Sequence, residues 1–325
     1  MTFYYKDVYI EETSTVCGPV EADGPLRKYF DKKYKDMYMG EKSFEKAEVK
    51  LVKDALSILL RKSGKKKEDI DLVVGGDLLN QITASTYGTC GVGKGFVGVY
   101  GACSTSVLGM IVASNFMDKG EVDNAIVEVS SHNSGAEKQY RNPVEYGAPK
   151  KDSSTFTSTG AAACLLTKEE SLVRVECATL GKIVNYSQND VNDMGRVMAP
   201  AVYETLTTHF KETSRTPEDY DLILTGDLGK YGKEIIKEYI DYNLDNYNDC
   251  GVMLYDLDRQ KEVHAGGSGP VCSALVNFGM IFSKLKEKKL KRVLIVATGA
   301  LFSPMSIHQK EDIYSIAHAI SLEVV

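Results

Sequence analysis

The segment Gly101–Ser106, which reads Gly-Ala-Cys-Ser-Thr-Ser, holds the residues best suited to chemistry. It follows a predicted strand, Phe96–Tyr100, and begins a predicted helix that extends to Met117. A cysteine at such a turn lies near unpaired backbone N–H groups and the positive end of a helix dipole. We expect these groups to lower the pKa of the Cys103 thiol, or to hold a carboxylate or phosphate. A buried small residue at a tight turn is the alternative interpretation.

Strand-like and helix-like segments alternate along the chain, which is typical of an α/β protein. Ser43–Arg61 has apolar residues at helical spacing. A short buried strand is predicted at Asp71–Gly75, and a strand rich in β-branched residues at Ala125–Ser130. The elements that position the cysteine therefore belong to an alternating α/β arrangement.

Two stretches of the second half repeat the pattern of the first half. Asp221–Leu228 is similar to Asp71–Leu78, which lies 150 residues earlier. The predicted helix Gly269–Lys288 and strand Arg292–Thr298 are similar to the helix and strand that begin at Gly101, at an offset of 168 residues. Both similarities occur in the same order, which indicates an internal repeat.

We therefore interpret the chain as two similar α/β halves, residues 1–170 and 171–325, with a single doubly wound sheet as the alternative. A chain of 325 residues is long enough for two halves of ordinary domain size. Its 43% hydrophobic and 26% charged residues are typical of a globular protein. The net charge of −6 argues against a nucleic-acid-binding surface.

The seven cysteines are scattered without Cys-x-x-Cys spacing, so neither a metal site nor a disulfide framework is predicted. The first ten residues lack a basic region followed by an apolar run, and no secretory signal is expected. No stretch has the roughly 18–20 apolar residues that span a bilayer. We expect a chain that is soluble by itself and not secreted.

A duplicated α/β chain with a cysteine at this turn resembles the thiolase and ketoacyl-synthase superfamily. The resemblance implies a layered α-β-α-β-α fold in which the cysteine accepts an acyl group. It implies two assisting residues from the second half, a histidine and a second histidine or an asparagine. It also implies an oxyanion-stabilising glycine turn, which corresponds to Thr298–Ala300 in this chain.

The two partner positions of the superfamily carry other residues here. The first should follow the predicted strand Leu222–Thr225, where Gly226 and Asp227 stand. The second should precede the helix near Gly269, where the residues are Gly266–Ser268. A cysteine without a positioned base has no proton acceptor for nucleophilic attack. We therefore predict binding rather than catalysis and assign no catalytic residue.

Seven strings resemble the stage V sporulation protein AD family, and the similarity runs from near residue 15 to near residue 320. These strings are Asp23–Leu26, Gly76–Gln81, Gly101–Ser106, Ser130–Asn133, Tyr220–Leu228, His264–Gly269 and Val296–Leu301. The resemblance implies binding of dipicolinic acid, free or as its calcium chelate, for uptake into the developing spore and release at germination. It implies as partners the membrane proteins of the stage V sporulation A group, which would associate the chain peripherally with the spore inner membrane.

The predicted ligand site combines groups from both halves. The start of the helix after Cys103 suits one carboxylate, the loop after the strand Ala125–Ser130 adds donors, and the glycine turn donates from the opposite side. Two aspartates that close equivalent strands would repel a dianion unless a proton or calcium lies between them; capping of the following helices is their alternative role. The predicted ligand-binding residues are Asp77, Asn80, Cys103, Ser104, Thr105, Ser106, Ser131, His132, Asp227, Ser268, Gly299 and Ala300, and no cofactor is predicted.

Two other functions remain as alternatives. One is an active acyltransferase that combines Cys103 with a histidine recruited from outside the superfamily positions, and the other is a structural adaptor with a vestigial pocket. The basic run Lys284–Arg292 could contact anionic lipid, although a solvated helix end is the favoured interpretation. Members of this fold commonly pair through the strand before the cysteine, so Phe96–Tyr100 predicts a homodimer.

Overall fold

The computed structural model describes all 325 residues, Met1–Val325. Its strands are β1 (Thr2–Tyr4), β2 (Tyr9–Cys17), β3 (Lys32–Lys33), β4 (Leu72–Gly76), β5 (Gly95–Gly98), β6 (Asn124–Ser131), β7 (Phe156–Thr157), β8 (Gly160–Thr167), β9 (Val173–Thr179), β10 (Leu222–Thr225), β11 (Tyr247–Asp249), β12 (Gly267–Ser268), β13 (Arg292–Leu301) and β14 (Tyr314–Val324). Its α-helices are α1 (Pro19–Ala22), α2 (Phe44–Ser63), α3 (Thr83–Gly88), α4 (Thr105–Asp118), α5 (Asn133–Tyr140), α6 (Met194–Thr213), α7 (Gly229–Tyr239), α8 (Cys250–Met253), α9 (Pro270–Leu275), α10 (Phe282–Lys286) and α11 (Pro304–His308).

Two sets of five strands share one order within a twelve-stranded sheet. Across the sheet, the first set has the order β5-β4-β6-β8-β2 and the second has the order β11-β10-β13-β14-β9. If the five strands of each set are numbered along the chain, both orders become 3-2-4-5-1. In both sets the first three strands of this order are parallel and the last two alternate in direction. A short antiparallel pairing between β2 and β9 joins the sets, with Tyr9 opposite Arg174.

The segments that are similar in sequence occupy equivalent places in the two sets. Counted along the chain, β4 and β10 are the second strands of their sets, and β6 and β13 are the fourth strands. Helix α4 precedes β6, as the continuous helical segment from α9 to α10 precedes β13. The predicted division at residue 170 falls in the turn between β8 and β9.

Three hydrophobic clusters show how the layers stack. The central cluster contains residues of α4 and α9 packed between the two sets of strands. A second cluster packs α2 on the outer face of the first set, and a third packs α6 on the outer face of the second set. Successive side chains of a strand point to opposite faces of the sheet, so each strand contributes apolar residues to two layers. In β6, for example, Val127 belongs to the central cluster and Ile126 belongs to the cluster around α2. The result is the expected order of helix, sheet, helix, sheet, helix.

The element boundaries follow local signals. Helix α2 begins after Ser43, whose Oγ accepts a hydrogen bond from Lys46 N at 3.3 Å, and ends at Gly64 in the left-handed conformation. The strand predicted at 96–100 is shorter in the structure, because the chain leaves the sheet after Gly98. The helix predicted from Gly101 begins instead with a 3-10 turn, and the helix predicted at 269–288 contains a π-helical stretch.

A close approach of two main chains holds strand β13 against the turn that carries Cys103. A Cβ atom placed on Gly299 would lie 2.3 Å from the carbonyl oxygen of Gly101. Only glycine therefore permits this packing, which brings the second half of the chain to the cysteine turn.

We expect Gly299→Ala to lower the free energy of unfolding by about 1–3 kcal/mol, because the added methyl group must push β13 away from Gly101. Urea denaturation measures this change. Gly95→Ala is the matched control, since its Cβ would make an ordinary contact of 3.6 Å and should change stability by less than about 0.5 kcal/mol. Equal stabilities of the two variants would contradict the proposed close packing.

Candidate functional site

Cys103 lies on a tight turn between β5 and α4. Ala102 has a φ of +50°, a conformation that non-glycine residues rarely adopt. The Ser104 hydroxyl donates to Gly101 O at 2.7 Å, and the Thr105 hydroxyl donates to Ala102 O at 2.6 Å. The two hydroxyls that the sequence assigned to a ligand thus stabilise the turn itself.

Two residues of the second half converge on Cys103. Asp227 follows β10, and Ser268 is held beside the turn by β12, which pairs with β7. The Ser268 hydroxyl donates to Asp227 Oδ2 at 3.0 Å, and Cys103 Sγ lies 3.7 Å from Ser268 Oγ. Gly269 N donates to the same carboxylate oxygen at 3.1 Å, and the Thr298 hydroxyl donates to the other. Asp227 and Ser268 lie within the two segments where the sequence resemblance implied assisting side chains.

The hydrogen bonds around Ser268 favour a protonated Cys103. When the Ser268 hydroxyl gives its only proton to the ionised Asp227, the Cys103 S–H is the group left to donate toward Ser268. Burial and the neighbouring charge of Asp227 raise the pKa of Cys103 well above its usual value. Burial also raises the pKa of Asp227. The expectation that the helix dipole lowers the thiol pKa was therefore wrong, because burial and a nearby carboxylate outweigh it.

No histidine lies at the cysteine. His132, His209 and His318 are buried and hydrogen-bonded to groups elsewhere in the fold. His264 and His308 line a separate, larger cavity. Burial lowers the pKa of His132, which keeps it neutral. Of the five histidines, none is placed to take a proton from Cys103.

The space beside Cys103 is a small apolar crevice. This inner crevice has a volume of about 40 Å³, and Cys103, Ser268 and Ala300 lie in its wall together with residues that the sequence did not single out. Those residues include Leu78, Tyr100, Tyr140, Arg141, Met194 and Phe302. The ring of Tyr140 meets that of Phe302 edge to face at 5.5 Å. The missed residues come from α6 and from segments without a chemical motif, so no sequence signal marked them.

A larger outer cleft opens beside the inner crevice. It has a volume of about 690 Å³, within the range of small-molecule sites. Its walls are α5, the segment 141–150, part of α11 and the region around His264. Tyr140 and Arg141 line both the outer cleft and the inner crevice. The two spaces therefore share a wall.

Neither Asp77 nor Asn80 lines the outer cleft or the inner crevice. Asp77 accepts hydrogen bonds from Leu79 N and Ser85 N, both at 2.8 Å, which is the capping role kept open as an alternative. Asn80 is exposed, and its main-chain N–H donates to Gln139 Oε1 at 3.0 Å. Asp77 and Asp227 end equivalent strands, yet only Asp227 reaches Cys103.

Three further predicted residues are occupied by structural contacts. Ser106 Oγ lies 3.2 Å from Ser273 Oγ, and the Ser131 hydroxyl donates to Ser158 O at 2.7 Å. Gly299 packs on the cysteine turn. Ser106 and Ser131 thus connect α4 and β6 to neighbouring elements.

Asp77 belongs to a buried acidic cluster with Glu48 and Glu128, on the α2 side of the sheet. Burial raises the pKa of all three carboxyl groups, that of Glu128 to about 8, and the charge of Asp77 contributes to the shifts of Glu48 and Glu128. Neither carboxyl oxygen of Glu128 has a hydrogen-bond partner. No group of three or more acidic, histidine or cysteine side chains is placed to hold a metal ion.

The basic run 284–292 is partly neutralised. Lys286 pairs with Glu12 at 3.1 Å, and Arg292 pairs with Glu323 at 2.8 Å. These ion pairs agree with the favoured interpretation of a solvated helix end. No helix of the structure is long and apolar enough to cross a bilayer.

The family model of stage V sporulation protein AD matches residues 1–323. The chain belongs to the stage V sporulation protein AD family. It is 44% identical over 322 residues to stage V sporulation protein AD of Bacillus subtilis (strain 168), a match that covers 97% of this chain and 94% of that protein. The resemblance inferred from the seven strings is confirmed, and the chain is a member of a sporulation family.

Solved enzyme structures show the fold that this sporulation family shares. The chain superposes on 3-oxoacyl-[acyl-carrier-protein] synthase III of Aquifex aeolicus VF5 with a TM-score of 0.60, 12% identity and coverage of 97% of this chain and 99% of that chain. For an OleA variant of Xanthomonas campestris bound with cerulenin, the TM-score is 0.64, with 14% identity and coverage of 98% and 97%. The predicted thiolase-like α/β fold is confirmed.

We expect the free energy of unfolding to fall between pH 6 and pH 8, and we expect Glu128→Gln to make this fall smaller. The folded-state pKa of about 8 lies above the ordinary value, so the protonated form stabilises the fold at low pH and this contribution is lost as the pH rises. The contribution of Glu128 to the free energy of unfolding falls by on the order of 1 kcal/mol per pH unit. Urea denaturation across this pH range measures it. Glu170→Gln, at an exposed position, is the control, and identical pH profiles for both variants would contradict the prediction.

We expect iodoacetamide to alkylate Cys103 slowly at pH 8, and Asp227→Asn to accelerate the reaction. Removing the carboxylate charge lowers the pKa of Cys103, and each unit of change gives roughly tenfold more thiolate. Peptide-resolved mass spectrometry measures the rate. Cys90, which is exposed, serves as the control within the same protein. An unchanged rate at Cys103 in a folded Asp227→Asn protein would show that Asp227 does not suppress the thiolate.

Proposed function

We propose that this protein binds dipicolinate at the outer cleft and inner crevice, without catalysing acyl transfer. The observation that carries the proposal is the Cys103–Ser268–Asp227 chain of hydrogen bonds, which keeps the cysteine protonated beside a carboxylate. The nucleophile position of the superfamily is thus present in a form that favours binding over covalent chemistry.

The charge of Asp227 opposes acyl transfer in two ways. It disfavours the thiolate that would attack a thioester. It also disfavours the negative charge that develops on the carbonyl oxygen during attack, which acyl-transfer enzymes stabilise with hydrogen-bond donors. A protein with this arrangement has no histidine at the cysteine and an unfavourable electrostatic field for the intermediate.

The size and polarity of the two spaces support an aromatic dicarboxylate as ligand. Dipicolinate is a flat dianion with a ring between two carboxylates, and the outer cleft is large enough for it. The outer cleft carries Arg141 and Lys150, whereas the inner crevice presents the rings of Tyr100, Tyr140 and Phe302. The ring faces the aromatic wall, and the carboxylates stay in the outer cleft, away from Asp227.

In the proposed complex, calcium is bound by dipicolinate and not by a cation site of the protein. Both oxygens of Asp77 and of Asp227 accept hydrogen bonds from groups of the chain. A calcium ion that bridged the two aspartates would have to displace these donors. The chelate is therefore held through the ligand rather than through a protein cation site.

We extend the proposal to the partners that the family resemblance implies. The membrane proteins of the stage V sporulation A group would bring the chain to the spore inner membrane for uptake and release of the ligand. A second copy of the chain would pair along β5, the edge strand of the sheet, where Phe96 is 43% exposed.

Titration calorimetry with dipicolinate, with and without calcium, tests the ligand. We expect saturable binding that Phe302→Ala weakens roughly tenfold, because the ring loses part of its aromatic wall. Phe116→Ala is the matched control, since Phe116 is a half-exposed ring in the last turn of α4, far from the crevice. Absence of binding in both conditions would overturn the ligand assignment.

Incubation with acetyl- and malonyl-thioesters tests the absence of catalysis. We expect no acyl adduct on Cys103 by intact-mass and peptide analysis, because the raised pKa disfavours the thiolate and no histidine lies beside it. A stoichiometric adduct on Cys103 would favour the acyltransferase alternative. Partner capture by a protein that binds neither dipicolinate nor thioesters would favour the structural adaptor.

A further inference from the structure

Residues 142–149 form an exposed flap in the wall of the outer cleft, just after α5. Seven of these eight residues are exposed, and none belongs to the three hydrophobic clusters. Their only hydrogen bonds close the short turn 143–147, so no hydrogen bond links the flap to the rest of the chain. Pro143 and Pro149 stand near its two ends, and their fixed φ angles stiffen it. The flap is therefore a stiff segment that only its ends hold in place.

Both ends of the flap are fastened to one buried carboxylate. Glu137 is 2% exposed, and it pairs with Arg141 at 2.6 Å and with Lys150 at 3.2 Å. Arg141 also donates to Val191 O at 3.3 Å, which ties the first end to the second half of the chain. Fixed ends and a free middle are the features of a loop that moves about hinges at its ends.

The two most exposed large apolar side chains of the protein flank this cleft. Tyr146, in the flap, is 73% exposed, and Met305, in α11, is 69% exposed. Val144 of the flap and Ile307 of α11 line the cleft beside them. Each wall thus presents an apolar side chain at the rim, and the two walls come from different halves of the chain. Exposed apolar surface beside a cleft is typical of a contact surface.

Two aromatic rings join the bases of these walls. Tyr140 lies directly before Arg141, Phe302 lies two residues before α11, and their rings meet edge to face at 5.5 Å. A chain spans at most about 3.6 Å per residue, so Tyr146 is anchored within roughly 20 Å of this contact and Met305 within roughly 10 Å. The flap and α11 therefore begin next to each other, and a hinge motion of the flap can bring their apolar side chains together.

We infer that the flap closes over the outer cleft and packs Tyr146 and Val144 against Met305 of α11. Closure buries apolar surface that the open structure exposes to water, and a methionine sulfur beside an aromatic ring adds a favourable contact. Glu137 is a positioning residue, because it keeps both ends of the flap in place while the middle moves. The closed flap separates the cleft from bulk water.

Closure gives the cleft a movable part that the sheet does not supply. The pairing of β2 with β9 joins the two sets of strands, so the entrance is where the two halves can change their contact. Closure itself is a property of the free chain, whereas its use in retaining a ligand rests on the proposed function.

Cross-linking of the free protein tests the closure. In a Cys90→Ser background, which removes the exposed native cysteine, we expect a short bis-maleimide to link Tyr146→Cys to Met305→Cys within one chain. The control pair is Tyr146→Cys with Tyr239→Cys, since Tyr239 is 51% exposed at the end of α7 and outside the cleft wall. The flap pair should link roughly tenfold faster, because closure raises the effective concentration of the two thiols. Equal rates by peptide-resolved mass spectrometry would overturn the inference.

Limited trypsin digestion supplies a second measurement, because Arg141 and Lys150 put cleavage sites at the two ends of the flap. Cleavage follows the population of the open form when opening and closing are fast. We expect Met305→Ser, which lies outside the cleaved segment, to speed cleavage roughly twofold to tenfold by removing the closing contact. Tyr239→Ser should be cleaved like the wild type, and thermal unfolding establishes that each variant is folded. Unchanged cleavage in folded Met305→Ser protein also overturns the closure.

Calorimetry with dipicolinate separates this inference from the proposed function. If the wild-type protein binds dipicolinate and the two cysteine pairs link equally fast, the flap closure is overturned while the function stands. If the flap pair links selectively and neither dipicolinate nor its calcium chelate binds, the closure stands and the proposed function is overturned.

Discussion

The carboxylate of Asp227 is the interaction on which the rest of the site depends. It collects hydrogen bonds from Ser268, from the main chain of Gly269 and from Thr298, and so connects the ends of β10, β12 and β13. Through Ser268 the same network reaches Cys103 in the first half of the chain. This buried carboxylate therefore connects the second half of the chain to the cysteine turn, and after burial it is the next cause of the raised pKa of Cys103. A cysteine that attacked a thioester would need a cation beside it instead, because a neighbouring positive charge favours the thiolate.

Equivalent positions of the two sets of strands have diverged in use. Asp77 and Asp227 end the second strand of each set, but Asp77 caps a local turn while Asp227 crosses to another element. In the second half the local capping is done by Asp249, which accepts from the N–H groups of Leu228 and Gly229. The shared strand order therefore puts Asp77 and Asp227 at equivalent places in the two halves, whereas the groups that surround each carboxylate differ.

The sequence was informative where the signal was local or periodic. The apolar spacing of α2 and the two repeated strand patterns predicted elements that the structure contains. The pKa of the Cys103 thiol was predicted in the wrong direction, because it is raised first by burial and then by the charge of Asp227, and both depend on elements far along the chain. Arg141 was missed because it follows a short polar helix without apolar periodicity, and its ion pair with Glu137, which Glu137 shares with Lys150, cannot be read from the local sequence. Predictions of hydroxyl donors near Cys103 could not foresee that the turn uses those protons itself.

The pairing of β2 with β9 makes one sheet of the two sets of strands. A hinge between the halves would have to break backbone hydrogen bonds within the central cluster, so ligand occupancy cannot be signalled by a rigid-body opening of that kind. Under the proposed function, a change caused by a ligand in the outer cleft would instead reach the surface through two parts of the cleft wall, the segment 141–150 from one half and helix α11 from the other. A partner that distinguishes the ligand-bound protein from the free protein would then contact these two segments.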